Sequence, residues 1–335
     1  LYYVNVKHIY YFYLVKLVFC IPTYLHFYYF VSYLLYMKSN KWLLLIMLIL
    51  SFSFCFRLQA QDDLEAILSN AEKEQPKKKE YTSAAFKSTR LINLHNTERL
   101  AKGALEYRIC HRFGRLNTGA YQFWGLDQAE IRMGFEYGVS DWVHIGIGRS
   151  SYQKTYDAFT KIAILRQSNV LPISLVYMGS IAVNTIKDVS PDFNGRLSYV
   201  NQLIIGSKVN SRVSLVFVPT LVHRNLVTEV NDAVSTVALG VGGRFKLSKR
   251  LTFNTEYIWR VPPQQKSLAF DNYKDAFSIG LDIETGGHVF QLTLSNSRGM
   301  FDKAYLVETT GAWGAGDIHF GFNLIRNFTV IKKKE

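Results

Sequence analysis

Beyond residue 103 the chain alternates. In QAEIRMGFEYGVSDWVHIGIG, residues 128–148, Ala129, Ile131, Met133, Phe135 and Tyr137 fall on one parity. Gln128, Glu130, Arg132, Gly134 and Glu136 fall on the other. Successive side chains of a strand point to opposite faces, whereas a helix would mix these two sets on every face, so the spacing predicts a strand. Val139-Ser140-Asp141 is turn material. Trp142 then opens a second strand, with Val143, Ile145 and Ile147 opposing His144, Gly146 and Gly148. Elsewhere Leu105, Tyr107 and Ile109 oppose Glu106, Arg108 and Cys110, and Leu251, Phe253, Tyr257 and Trp259 oppose Asn254, Glu256 and Arg260. Phe277, Ile279, Leu281 and Ile283 oppose Ser278, Gly280, Asp282 and Glu284, and Ile318, Phe320, Phe322 and Leu324 oppose Asp317, His319, Gly321 and Asn323.

This periodicity predicts about twelve strands. They lie near 104–113, 128–138, 142–151, 156–166, 172–184, 196–208, 211–223, 234–247, 250–260, 274–284, 287–297 and 314–325. The stretches around 172–184 and 203–218 are apolar on both parities and less decisive. Short turns at 139–141, 209–211, 248–250 and 285–287 alternate with longer loops near 114–127, 185–195, 224–233, 261–273 and 298–313.

Alternation alone fits a soluble sandwich or a membrane barrel. The leader separates them. Residues 1–36 hold ten of the 21 tyrosines, lack Ala, Gly, Arg, Asp and Glu, and begin with Leu, so they read as a mis-annotated upstream extension. Residues 37–60, MKSNKWLLLIMLILSFSFCFRLQA, read as a signal peptide: Met37, basic Lys38 and Lys41, an apolar core from Trp42 to Phe56, and cleavage after Ala60. Cys55 follows a poor lipobox. Beyond Ala60 no apolar run is long enough for a spanning helix. An exported, strand-rich chain with short turns, long loops, and Tyr107, Tyr137, Trp142, Tyr257 and Trp259 near strand ends fits an all-β, antiparallel transmembrane β-barrel in a Gram-negative outer membrane. Its apolar face would meet lipid. Residues 61–103 precede the barrel of 104–331. They begin with a short amphipathic helix carrying Leu64, Ile67, Leu68 and Ala71, followed by a charged linker at 75–80. The remainder reads first as a lead-in to the barrel, with a periplasmic segment or an inserted plug as alternatives.

Residues 111–167, from HRFGRLNTGAYQFWG to FTKIAILRQ, resemble the DUF5777 family of β-barrel proteins from Bacteroidetes. FKSTRLINLHNTERLAKGALEYRI before them and HVFQLTLSNSRGM at 288–300 are similar to the same family, so the likeness covers roughly 85–325. The resemblance implies an outer-membrane-type barrel and transfers no activity and no catalytic residue.

Charge and chemistry add little. Without residues 1–60 the chain carries 34 Lys+Arg against 26 acids, too scattered an excess for nucleic acid. Cys110 alone remains, so no internal disulfide forms. Ile109-Cys110-His111 lacks the first cysteine of a haem motif, and Gly146 to Ser151 departs from a dinucleotide loop. The histidines beyond the leader show no metal-ligand spacing. Asp317 and His319 share a face, read as two polar lumen residues before an acid–base pair. No catalytic residue, metal or cofactor is therefore expected. The lumen-lining candidates are Glu106, Arg108, Arg112, Glu130, Arg132, Glu136, Glu256, Arg260, Asp282, Glu284, Asp317 and His319. Their mixed signs argue against an ion-selective ring and leave two readings: a wet channel, where charges need not pair, or a salt-bridged filling that makes the barrel rigid. The leading expectation is a passive channel or transport-related barrel for small polar solutes, in contact with outer-membrane lipid. A structural or docking barrel holding envelope protein partners, a respiratory complex among them, comes second. A membrane-embedded hydrolase comes third, and requires a Ser or His to meet a polar partner at one rim.

Overall fold

The computed structural model describes residues 80–186, 192–227, 233–263 and 271–331. The upstream extension, signal peptide, amphipathic helix and most of the linker expected from the sequence lie outside these residues.

Twelve antiparallel strands close into one barrel. They are β1 (Ala104–Arg115), β2 (Ala129–Gly138), β3 (Val143–Ser150), β4 (Thr155–Leu165), β5 (Ser174–Asn184) and β6 (Leu197–Lys208). The circuit continues through β7 (Val213–Arg224), β8 (Ser235–Lys246), β9 (Leu251–Arg260), β10 (Ala276–Thr285), β11 (His288–Ser295) and β12 (His319–Thr329). Each strand pairs with its sequence neighbours, and β1 pairs with β12 from Ala104–Thr329 to Arg115–His319, so no edge remains. The last strand starts later than the expected 314–325, because Trp313–Ala315 form a short 3-10 turn and Asp317 is drawn out of register by Arg115 and Ala312.

Burial inverts the rule of soluble proteins. Along β2, Ile131, Met133 and Phe135 are exposed, whereas Arg132, Gly134 and Glu136 are buried. Ile145, Ile147, Tyr177, Val237, Val241, Tyr257 and Trp259 are likewise exposed on the outer wall. Such a wall is stable only in lipid, where a charged replacement at mid-depth costs about 2–4 kcal/mol.

Turn chemistry sets the short end. Ser140 Oγ accepts the Val143 N–H, Asn210 Oδ1 the Val213 N–H, and Ser248 Oγ the Leu251 N–H, each replacing a backbone partner at a reversal. Gly286 and Gly287, with φ of 44° and 109°, turn the β10–β11 hairpin as few other residues can. Both ends of the barrel sequence lie at this short-turn end, where the Gly103 carbonyl accepts the N–H groups of Val330 and Ile331. Short turns mark the periplasmic end of such barrels. The long loops lie at the other end. The loop after β11 folds back into the barrel as helix α1 (Asp302–Val307), whose Tyr305, Leu306 and Val307 are buried.

In β7 Pro219 has no N–H to donate. The β6–β7 register accordingly runs to Gln202–Thr220 and resumes at Ile205–Phe217.

Candidate functional site

The lumen is occupied. Residues 86–97 run into the barrel from the periplasmic end, reverse at Ile92-Asn93, and run back to Gly103. The reversal is a tight hairpin: Leu91 N donates to Leu94 O at 2.8 Å, Asn96 N to Thr89 O at 3.3 Å, and Arg90 bridges His95. These residues thus turn back inside the barrel before they reach β1. A wet channel would leave inward side chains accessible. Instead Arg108, Lys161, Met178, Ile204, Val218, Ile258 and Asn323, from seven different strands, are 0% exposed.

The tip is held by one carboxylate. Glu256 Oε2 accepts the N–H groups of Ile92 (3.2 Å) and Leu94 (2.9 Å), and Oε1 accepts the Asn93 backbone N–H (3.0 Å) and side-chain amide (2.9 Å). A buried charge is tolerable when its lone pairs are filled in this way. Arg112 donates to Asn93 Oδ1 at 3.1 Å, and Gln291 to Leu91 O at 2.6 Å. The two arms are joined by Lys161, whose Nζ donates to Thr89 O (2.7 Å) and Asn96 O (3.3 Å). The Thr89 hydroxyl donates to Glu136 and accepts from Arg108. Nearer the mouth, Arg244 donates to Ala84 O and Ala85 O, Lys208 to Ser83 O, and Lys87 pairs with Glu284.

Glycines carve the seat for the apolar side chains. A Cβ on Gly242 would lie 2.4 Å from Leu91, on Gly240 2.9 Å from Leu94, and on Gly280 3.0 Å from Ile92. Around them the inner wall of β5–β9 is aliphatic, through Val176, Met178, Val200, Ile204, Val216, Val218 and Ile258, and it packs on Phe86, Leu91, Leu94 and α1. The opposite wall is polar and charged. This division explains the stretches that looked apolar on both parities: one face meets lipid, the other meets the hairpin and α1.

Of the expected lumen residues, those at mid-depth are buried and held. Arg108 pairs with Glu106 at 2.6 Å, and Glu136 meets His144 at 3.1 Å and Arg90 at 3.6 Å. Arg132 pairs with Asp157, and Asp282 accepts from Gln291. Dry surroundings make pairing obligatory, so at mid-depth these charges have the arrangement of a salt-bridged filling and not that of charges along a wet channel. Toward the outer end, Arg260 lies over Tyr273, and Glu130 accepts from Ser151 and Arg298. Asp317 and His319 do not form an acid–base pair. Asp317 binds Arg115 and Asn117, and His319 Nδ1 lies 2.8 Å from Phe113 O.

Sequence reading missed Asp157 and Lys161, although the alternation of β4 (Tyr156, Ala158, Thr160 and Ile162 outward) marks both as inward. It also missed the contact between hairpin and loop, for which no periodic signal exists. There His95 Nε2 lies 3.2 Å from Asp302 Oδ1, Arg90 lies 3.8 Å from the same oxygen, and Tyr305 OH donates to it at 2.7 Å. Burial pushes His95 well below its ordinary pKa, leaving a neutral ring. Burial alone would raise the Asp302 carboxyl, but His95, Arg90 and the Tyr305 hydroxyl directed at it hold it low.

One serine–histidine contact stands at the outer rim: His223 Nδ1 lies 2.9 Å from Ser235 Oγ, across the β7–β8 pair. Among the described residues no carboxylate or amide orients the other ring nitrogen. The contact lacks the third member that a hydrolytic constellation requires. No group of three metal-ligating side chains forms among the described residues.

Residues 86–328 match a family described as a membrane-bound beta barrel domain, DUF5777. No curated protein sequence matches the chain. Among solved structures, the NanC porin is 8% identical, with 68% of this chain and 100% of that one covered at a TM-score of 0.44. The KdgM porin is 8% identical (67% and 98% covered, TM-score 0.41). LpxR from Salmonella typhimurium is 13% identical (67% and 99% covered, TM-score 0.34). At these scores the likenesses carry no argument about function.

Proposed function

The chain belongs to the DUF5777 family of membrane-bound β-barrels, and we propose that this member is a gated, transport-related barrel for small polar solutes. A closed barrel with an apolar outer wall and a buried polar lumen is an outer-membrane protein. The observation that carries the gated reading is how the hairpin is held. Its polar fastening consists of non-covalent hydrogen bonds to Glu256, Lys161, Gln291 and Arg112. All of these could take water in its place once the hairpin leaves. The passage left behind has one wall lined by charges of both signs, which suits small polar solutes without strong ion preference. No step of this function is catalytic.

The test is planar-bilayer conductance of the folded barrel, with residues 86–97 present and excised. Conductance that appears or rises on excision supports a gate. Steady conductance in both forms points to a pore that the hairpin does not close. Silence in both, from barrels shown to be folded, overturns the transport reading in favour of a docking barrel, and sends the search to co-purifying envelope proteins.

A further inference from the structure

On the outer wall, between β1 and β6, an apolar groove of about 650 Å³ opens toward lipid. Its walls are Met133, Phe135, Ile147 and Ile181, and its floor is the small Ala158. It rises from mid-barrel to the long-loop end, where Arg149, Tyr156 and Phe193 form its lip. The lip is basic. Arg149 pairs across the sheet with Tyr156, Tyr156 with Val183, and Val183 with Leu197, which follows Arg196 directly. Lys154 stands two residues before Tyr156 and is exposed. Arg149 and Arg196 lie over the rings of Tyr156 and Phe193 at 5.6 and 5.7 Å. Among the described residues no carboxylate pairs with Arg149, Lys154 or Arg196.

A groove for acyl chains with Arg149 on its lip, and with Lys154 and Arg196 close by in the chain against one exposed neighbour of opposite sign, Asp192, matches one kind of molecule. We propose that this groove is a specific site for a phosphate-bearing lipid of the outer leaflet. Its chains lie over Ala158, and its phosphate is held by Arg149, Lys154 and Arg196. The aromatic rings of Tyr156 and Phe193 sit at the interfacial level, where such rings are favoured. Arginine suits the phosphate because its planar fork donates two hydrogen bonds. The site is on the outer wall and does not depend on whether the lumen conducts.

The test uses the whole protein extracted in mild detergent, with native mass spectrometry reading bound lipid after exposure to phosphatidic acid or phosphatidylcholine. Phosphatidic acid is expected to remain bound and phosphatidylcholine to be lost. Each basic side chain near an anionic headgroup is worth roughly fivefold in affinity, so R149E/R196E lowers retention by at least about 25-fold. Ala158→Trp fills the floor without changing charge and also releases the lipid. Heat-modifiable gel mobility confirms that both variants are folded. Equal retention of the two lipids, or unchanged retention in both variants, overturns the proposal. Displacement by millimolar inorganic phosphate overturns it too, because the lip alone would then be an anion site.

Discussion

Glu256 and Asn93 meet twice at the centre of the barrel: the carboxylate of the wall accepts both the backbone N–H and the side-chain amide of the hairpin tip. One wall residue therefore fixes both the depth and the rotation of the plug. Glu256→Ala leaves the three backbone N–H groups of Ile92, Asn93 and Leu94 buried without that acceptor, and leaves the Asn93 amide only Ser278 Oγ at 3.3 Å. A cost of about 3–5 kcal/mol is expected, borne by hairpin docking and not by barrel closure. Limited proteolysis should cut the hairpin in the variant while heat-modifiable mobility stays intact.

The Gly242–Leu91 contact predicts a reciprocal pair. Gly242→Ala puts a methyl where Leu91 Cδ1 lies, 2.4 Å from the new carbon, and should loosen the hairpin by roughly 1–3 kcal/mol. Leu91→Ala alone leaves a cavity. Combining the two should recover docking relative to either single change, because the new methyl fills the space that Leu91 vacates. A double-mutant cycle on hairpin protection checks this, and strict additivity would count against the seat as described.

Lys161→Met removes the clamp between the two arms and leaves Glu106 and Glu136 with less positive charge around them. The Asn96 carbonyl is then left buried without its donor, which costs about 1–3 kcal/mol, so a lower unfolding temperature is expected together with easier displacement of the hairpin. Lys161→Arg should restore the charge but not the geometry, and so should recover stability only in part.

His95 gives the hairpin a pH dependence with a defined sign. Its folded pKa lies below the unfolded value of about 6.5, so the stability it contributes is present above that pH and is lost as pH falls through the folded value. Arg90 and Lys161 face the ring and oppose its protonation, and Asp302 favours it. Protection of residues 86–97 from hydrogen exchange, taken relative to the intrinsic rate at each pH, should fall from neutral pH to about pH 5, and His95→Gln should flatten the profile.

Ser235 should be inert. With no orienting partner on His223 among the described residues, a fluorophosphonate probe is expected to leave Ser235 unlabelled. Labelling that disappears in Ser235→Ala would revive the hydrolase reading.

The outer wall was legible because lipid imposes a period of two on every strand, and Ile131, Met133 and Phe135 follow it without exception. The lumen was only half legible. Glu106, Arg108 and Glu256 announced an inward face, but parity says nothing of what an inward face touches. An inserted segment stood among the alternatives, but its seat escaped, because its side chains answer to distant strands: Leu91 to Gly242, Ile92 to Gly280, Asn93 to Glu256. A trace was present in the apolar runs of 172–184 and 203–218. Two apolar faces on one strand need two apolar neighbours, and lipid supplies only one.

The hairpin's two arms are not mechanically equivalent. The downstream arm is welded to the seam, where Gly103 binds the end of β12 and its N–H reaches the Gly138 carbonyl. A tug there loads the whole barrel. The upstream arm meets its fastenings one after another along the axis: Gln167 at Thr82, Lys208 at Ser83, Arg244 at Ala84 and Ala85, Lys161 at Thr89, and Glu256 at the tip. Tension drawn from the periplasmic side of residue 80 would reach these in turn and peel the hairpin like a zip. The same load shared across all of them would leave it seated. The chain thus gives the plug one handle and one anchor.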